Sequence, residues 1–138
     1  MKNQVRNFLL GAAVTAVLWA PMLKAQDRVE RAEVPFDFHV NNLTLPAGQY
    51  SVVMENGAVT QLRNEATSES IMFMAPGRLY DKKEPHLSFR RYGENYFLAE
   101  IWLPNGPSLA LRKSSVEKEA ARGGLAPTVA YVQLQRGR

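Results

Sequence analysis

The sequence contains no cysteine. That excludes a disulfide scaffold, a cysteine-held zinc site and lipid attachment at a cleavage-site cysteine. Only two histidines are present, His39 and His86, so a zinc centre has to use both and complete its ligand set with carboxylates. No Gly-x-Ser-x-Gly occurs, so the strand-to-helix nucleophile elbow is missing. There is no internal repeat, linker or low-complexity tract, and a single domain is the economical reading.

What is present begins with three zones at the N-terminus. Lys2 and Arg6 give a positive start, Phe8 to Leu23 is uncharged and apolar, and small Ala25 stands where the chain turns polar at Gln26. This order is the signature of a secretory signal, cleaved after Ala25. The apolar stretch of 16 residues is shorter than the roughly 20 a spanning helix needs. Pro21 breaks it near its end. The expected location is therefore exported, periplasmic or extracellular, with no membrane span after cleavage.

Removal of residues 1–25 changes the charge reading. The full chain carries 17 Lys and Arg against 13 Asp and Glu, a net of +4. Lys2, Arg6 and Lys24 leave with the signal, so 14 basic residues remain against 13 acidic ones, a net of +1. The basic balance is thus no argument for nucleic acid, whose binders carry a clustered basic face. No cofactor motif stands out.

After a charged lead-in over 26–33, the chain alternates. Val34, Phe36, Phe38 and Val40 fall on one face of a strand, with Asp37 and His39 on the other. Asn41-Asn42 and Pro46-Ala47-Gly48 are turns. Gln49 to Glu55 and Ala58 to Arg63 form a hairpin around Asn56-Gly57. Its register stays open: a plain two-residue turn pairs Val52 with Gln61, and one extra residue pairs it with Leu62. Glu69 to Ala75 is apolar on both faces around Ile71-Met72-Phe73-Met74, which predicts a covered central strand with Met72 and Met74 in the core.

His86 to Tyr92 and Asn95 to Leu103 form a second hairpin, turning at Gly93-Glu94. Alternation puts Phe97, Ala99 and Ile101 on one face and Tyr96, Leu98 and Trp102 on the other. Ser108 to Lys113 is a further strand. Ser114-Ser115-Val116-Glu117 matches a capping box for a short helix stopped at Gly123-Gly124. Pro127 to Gln135 is the last strand, with Ala130, Val132 and Leu134 inward. The expected fold is all-β: a small sandwich or barrel over 34–135, with seven or eight short antiparallel strands and one short helix near the C-terminus.

Two strings carry a resemblance. One is Val34-Pro-Phe-Asp-Phe-His-Val-Asn-Asn-Leu-Thr-Leu-Pro-Ala-Gly-Gln-Tyr50; the other is Phe89-Arg-Arg-Tyr-Gly-Glu-Asn-Tyr-Phe-Leu-Ala-Glu-Ile-Trp102. Together they resemble a family of small secreted bacterial β-proteins with an entry of the form PFDF.V....LPAG.Y and a later hairpin F..YG..YFL.E.W. The resemblance implies a secreted β-fold and no particular activity, because its motif residues are turn formers and core apolars. It stops before the segment after Gly124.

Six side chains are candidates for a polar and aromatic surface: Asp37, His39, Tyr92, Tyr96, Glu100 and Trp102. Asp37 and His39 share one strand face, a fragment of catalytic and metal sites. A solvated strand face explains the pair as well. Glu55, Glu69 and Glu100 are carboxylates that a glycoside hydrolase would need in pairs; for Glu100 the favoured expectation is an ion pair with Arg90 or Arg91. Tyr92, Tyr96 and Trp102 would make an aromatic row suited to a sugar or a protein, unless the row is simply a covered face. The leading expectation is a non-enzymatic binding or structural module of the envelope or secretome, with a protein, glycan or small apolar ligand as partner. The alternative is a hydrolase-like or metal-dependent enzyme in which Asp37, His39, Glu100 and Arg90 converge. An outer-membrane barrel is disfavoured by strands of six or seven residues.

Overall fold

The computed structural model describes residues 29–55, 59–74, 77–79, 83–104 and 108–137. The segment read as a signal lies outside them, as do Asn56-Gly57, Pro76 and the turn residues 105–107. The elements in chain order are β1 (Val29–Val34), β2 (Phe38–Val40), β3 (Leu43–Leu45), β4 (Gly48–Glu55), β5 (Val59–Asn64), β6 (Ser70–Met74), β7 (Gly77–Leu79), β8 (His86–Tyr92), β9 (Asn95–Trp102), β10 (Ser108–Ala110), α1 (Ser115–Arg122), β11 (Thr128–Gln133) and β12 (Gln135–Arg136). Among the described residues there are thus more strands than the seven or eight expected, because continuous apolar arms break into short pieces where they change sheets.

Two sheets face each other. One runs β12-β1-β4-β5-β6 and the other β11-β8-β9-β10-β7, with the β2–β3 hairpin attached to β9. The chain passes between sheets at both edges. It goes from β6 to β7 across residues 75–76, and from β11 to β12 at Leu134. No ladder joins the sheets among the described residues, so the architecture is a sandwich and not a closed barrel. Nearly all pairing is antiparallel, but β2 lies parallel to β9 through His39 and Phe97, against the all-antiparallel expectation.

The core lies between the sheets. Alternation supplies Ala32, Val34, Tyr50, Val52, Leu62 and Phe73 from one side and Phe38, Val40, Leu87, Phe89, Leu98, Ile101, Leu109 and Leu134 from the other. Phe38 stands edge-on to both Tyr50 and Phe89, at centroid separations of 5.1 and 5.3 Å.

Three expectations need correction. Residues 29–33 are no free lead-in: β1 pairs along its whole length with β4, from Val29 opposite Val53 to Val34 opposite Gly48. The inward row Ala32 and Val34 gives that strand its reason to fold. Strand β6, within the expected 69–75 segment, is an edge strand, not a central one, and Met72 is exposed on its outer face while Phe73 points inward. The chain's uniform apolarity there misled because only one face is covered. The side chain of Met74 lies outside the described residues.

The open register resolves as Val52 opposite Leu62. Residues 56–58 then separate Glu55 from its partner Val59, the three-residue alternative. The third correction is in the second hairpin. Its turn falls at Gly93-Glu94 as expected, with Gly93 in the left-handed region at φ 61°. However, Ser88 pairs with Glu100 and Phe89 with Leu98, so Ala99 is an extra residue on β9. This β-bulge shifts the alternation by one. Leu98 and Ile101 both join the inter-sheet core, and Phe97 and Trp102 lie on the opposite face, where both are nevertheless buried.

Candidate functional site

The bulge decides what the outer face of the second sheet carries. On β8 the residues that alternate with core Leu87 and Phe89 are His86, Ser88 and Arg90. On β9 they are Phe97, Glu100 and Trp102, and on β11 they are Val129, Tyr131 and Gln133. Helix α1 lies over one end of this face, and the other end is a cluster around Glu100.

The covered end is set by an ion pair. Arg90 donates from Nε to Glu117 Oε1 at 2.8 Å and from its terminal nitrogen to Oε2 at 3.1 Å. Glu117 is 1% exposed, so its charge rests on this fork. The capping box is half formed. Ser114 Oγ accepts from the Glu117 N–H at 3.1 Å, but the Glu117 carboxylate turns to the sheet instead of back to its own cap. Tyr92 meets Phe97 edge-on at 5.7 Å on the same face, and its buried hydroxyl has no hydrogen-bond partner among the described residues. His39 stacks on the other side of Phe97 at 4.7 Å and faces Thr44 Oγ1 at 3.1 Å across the β2–β3 hairpin.

At the other end, the indole N–H of Trp102, which is buried, donates to Glu100 Oε2 at 2.7 Å. Residues two apart on one strand share a face, which brings the pair together. Ser88, opposite Glu100 in the ladder, donates to the same oxygen at 3.5 Å. Both donors use Oε2, so Oε1 is left without a hydrogen-bond donor among the described residues. Arg90 and Arg91 take no part: Arg90 holds Glu117, and Arg91 donates to the Gly93 carbonyl. The expected ion pair with Glu100 is therefore not made, because the helix captures Arg90.

His86 lies opposite Trp102 and stacks on it at 5.8 Å. Its Nδ1 donates to the Glu84 carbonyl at 2.6 Å, which fixes the proton there. Tyr131 stands edge-on to His86 at 5.3 Å and is 69% exposed. Lys83 lies over the Trp102 ring at 4.6 Å. The site is thus an exposed aromatic ring beside an imidazole and a carboxylate held with one oxygen open.

The six candidate residues do not form one surface. Glu100 belongs to this site, and Trp102 holds it from a buried position, against the expected exposed aromatic row. Tyr96 is on the core side, stacked on Phe36 at 3.7 Å, because the bulge lies between it and Trp102. Tyr92 is buried, and His39 packs on Phe97. Asp37 accepts from the Ala47 N–H at 2.9 Å, fixing the Pro46-Ala47-Gly48 turn. Sequence reasoning left out Ser88 and Tyr131 and weighed His86 only as a metal ligand. The signal for Ser88 and His86 was their parity with Arg90 on one arm; Tyr131 had none, since its strand's place beside β8 follows from the fold. Among the described residues no group of three metal-ligating side chains occurs.

Comparison of the chain with protein-family models, with curated proteins and with solved structures finds no match.

Proposed function

We propose that this protein is an exported, non-enzymatic binding module that takes a glycan on the outer face of β8, β9 and β11. The observation that carries the reading is the exposed Tyr131 ring against the His86 ring, near a Glu100 carboxylate whose two donors both use Oε2. Sugar rings present C–H faces that pack on an aromatic ring and hydroxyls that donate to a fixed carboxylate. A ligand within the sandwich is a poorer fit, because Phe38, Tyr50, Phe89 and Ile101 fill the space between the sheets. The enzymatic alternative is weakened by the partners observed: Asp37 caps a turn, His39 packs on Phe97, Arg90 holds Glu117 and Glu100 is bound by Trp102. Export rests on the three-zone N-terminus ahead of Gln26.

The test is titration of the purified protein with soluble cello-, malto- and chito-oligosaccharides and solubilised peptidoglycan fragments. At least one is expected to bind, with Tyr131→Ala and Glu100→Gln each weakening it about tenfold. Absence of binding to all of them, or equal binding by both variants, overturns the glycan reading. The N-terminus of the same material is expected at Gln26 by mass spectrometry; retention of residues 1–25 overturns the export reading.

A further inference from the structure

We infer that the cleft at the β1–β12 edge of the sandwich is a second binding site, suited to a small zwitterion of dipeptide size. Register builds it. Arg31 and Glu33 alternate with the inward Ala32 and Val34, so both stand on the outer face of β1. Gln135 lies opposite Arg31 on β12, and Gln49 lies opposite Glu33 on β4. The chain then brings Gln133, at the end of β11, and Arg136 to the same hollow. The cleft holds about 570 Å³, within the range of small-molecule sites. Buried Ala32 and half-buried Val132 are the apolar part of its lining.

The polar side chains around this cleft are largely uncommitted. Glu33, Arg136 and the three glutamine amides make no hydrogen bond or ion pair among the described residues. Arg31 has one ion pair there, to Glu65 at 3.6 Å, with both side chains in contact with solvent. Such a pair is weak. The Arg31 stem runs beside Gly137: a Cβ at that position would stand 3.3 Å from Arg31 Nε and 3.5 Å from Cδ, so glycine leaves the room it occupies. By contrast Arg90 is committed to Glu117, and Asp37 to the Ala47 N–H.

Two guanidinium groups and one carboxylate around one hollow complement a ligand with a carboxylate at one end and an ammonium at the other. Alternate side chains of a strand stand about 7 Å apart, and two extended residues span about 7 Å as well. A dipeptide therefore sets its carboxylate at Arg31, with Arg136 beside it, while its ammonium meets Glu33. The glutamine amides supply both donors and acceptors for its central peptide group. No aromatic ring lines the cleft for a sugar to stack on. The contacts are made by side chains and ligand end groups, and the β1 main chain keeps its pairing with β4 and β12.

The probe is L-alanyl-L-alanine, titrated into the full chain while the side-chain N–H signals of Arg31, Arg136, Gln49, Gln133 and Gln135 are followed by NMR. Saturable shifts of these signals are expected, with a roughly millimolar or tighter Kd. N-acetylation of the dipeptide and amidation of its carboxyl end are each expected to weaken binding about fivefold, the worth of one exposed charge pair. Free alanine, too short to reach both charges, is expected to bind as weakly as the blocked forms. Glu33→Gln is expected to cost the same factor with the free dipeptide and nothing further with the N-acetylated one. Arg31→Gln is expected to behave in the same way toward the amidated one. These side chains are exposed, so both variants are expected to fold. The proposal is overturned if none of these signals shifts saturably, if free and blocked dipeptides or alanine bind equally, or if each variant weakens free and blocked forms alike. Tyr131→Ala is expected to leave dipeptide binding unchanged, so this site and the glycan face fail or stand separately.

Discussion

At the scale of single residues, the clearest contrast is between two buried tyrosines. Tyr50 is 1% exposed, and its hydroxyl donates to the Pro46 carbonyl while accepting from Asn64 Nδ2 at 3.1 Å. Asn64 in turn accepts from the Ala66 and Thr67 N–H groups, so one hydroxyl ties two turns together. Burial raises its pKa above the ordinary value of 10.0; the bond from Asn64 opposes this, and the charges of Asp37 and Glu69 add to it. Above about pH 10 the unfolded chain gives up this proton more readily than the native one, so stability falls as pH rises from there. Tyr92 has a buried hydroxyl with no partner among the described residues. In urea titrations Tyr50→Phe is expected to cost about 1–3 kcal/mol near neutrality and to flatten the alkaline loss, whereas Tyr92→Phe is expected to be neutral or stabilising. Equal costs for the two would contradict this account.

At the scale of elements, α1 is held by charge more than by apolar contact. It has eight residues, too few to persist alone, and its one fully buried side chain is Glu117. Replacement by Ala strands Arg90 at the sheet, and the expected cost is about 2–3 kcal/mol, below that of a fully buried pair because the guanidinium keeps some solvent contact. Ser114→Ala removes only the cap, about 1 kcal/mol. Thermal unfolding of both variants orders the two effects; a larger loss for Ser114→Ala would show that the cap, not the ion pair, secures the helix. The bulge at Ala99 acts at this same scale. One additional residue delivers Trp102 and Glu100 to the outer face and Ile101 to the core.

At the scale of the whole molecule, β1 closes the design. It sits between β12 and β4, and the sheet order makes it the strand through which the C-terminal residues are anchored. Deleting residues 26–34 removes the inward row Ala32 and Val34 and leaves β4 with an open edge. That deletion is expected to abolish cooperative unfolding by circular dichroism, whereas a chain beginning at Gln26 folds. A folded, cooperative deletion variant would show β1 to be an accessory strand.

The sequence by itself determined the local elements. Alternation along 86–92, the Gly93 turn and the Ser114 cap are short-range effects, and each reads directly from residue order, whereas the strand expected over Val34–Val40 is divided between β1, which ends at Val34, and β2, which begins at Phe38 in the other sheet. It also determined the absence of disulfides, and it located Glu100, Trp102 and His86 as residues of one hairpin. The tertiary structure alone decided what lies beside what. Period-two patterns say nothing of an extra residue inserted in one arm, so the faces of 97–101 inverted at the bulge. The apolar run at 70–74 became an edge because only its Phe73 face finds a neighbour. The charged stretch before Val34 became a strand because β4 and the C-terminal β12 flank it, two partners far away in the chain. For the same reason Tyr131 joined His86 and Glu100: the site spans three strands whose adjacency is set by sheet order, and sheet order arises from the packing of the whole chain.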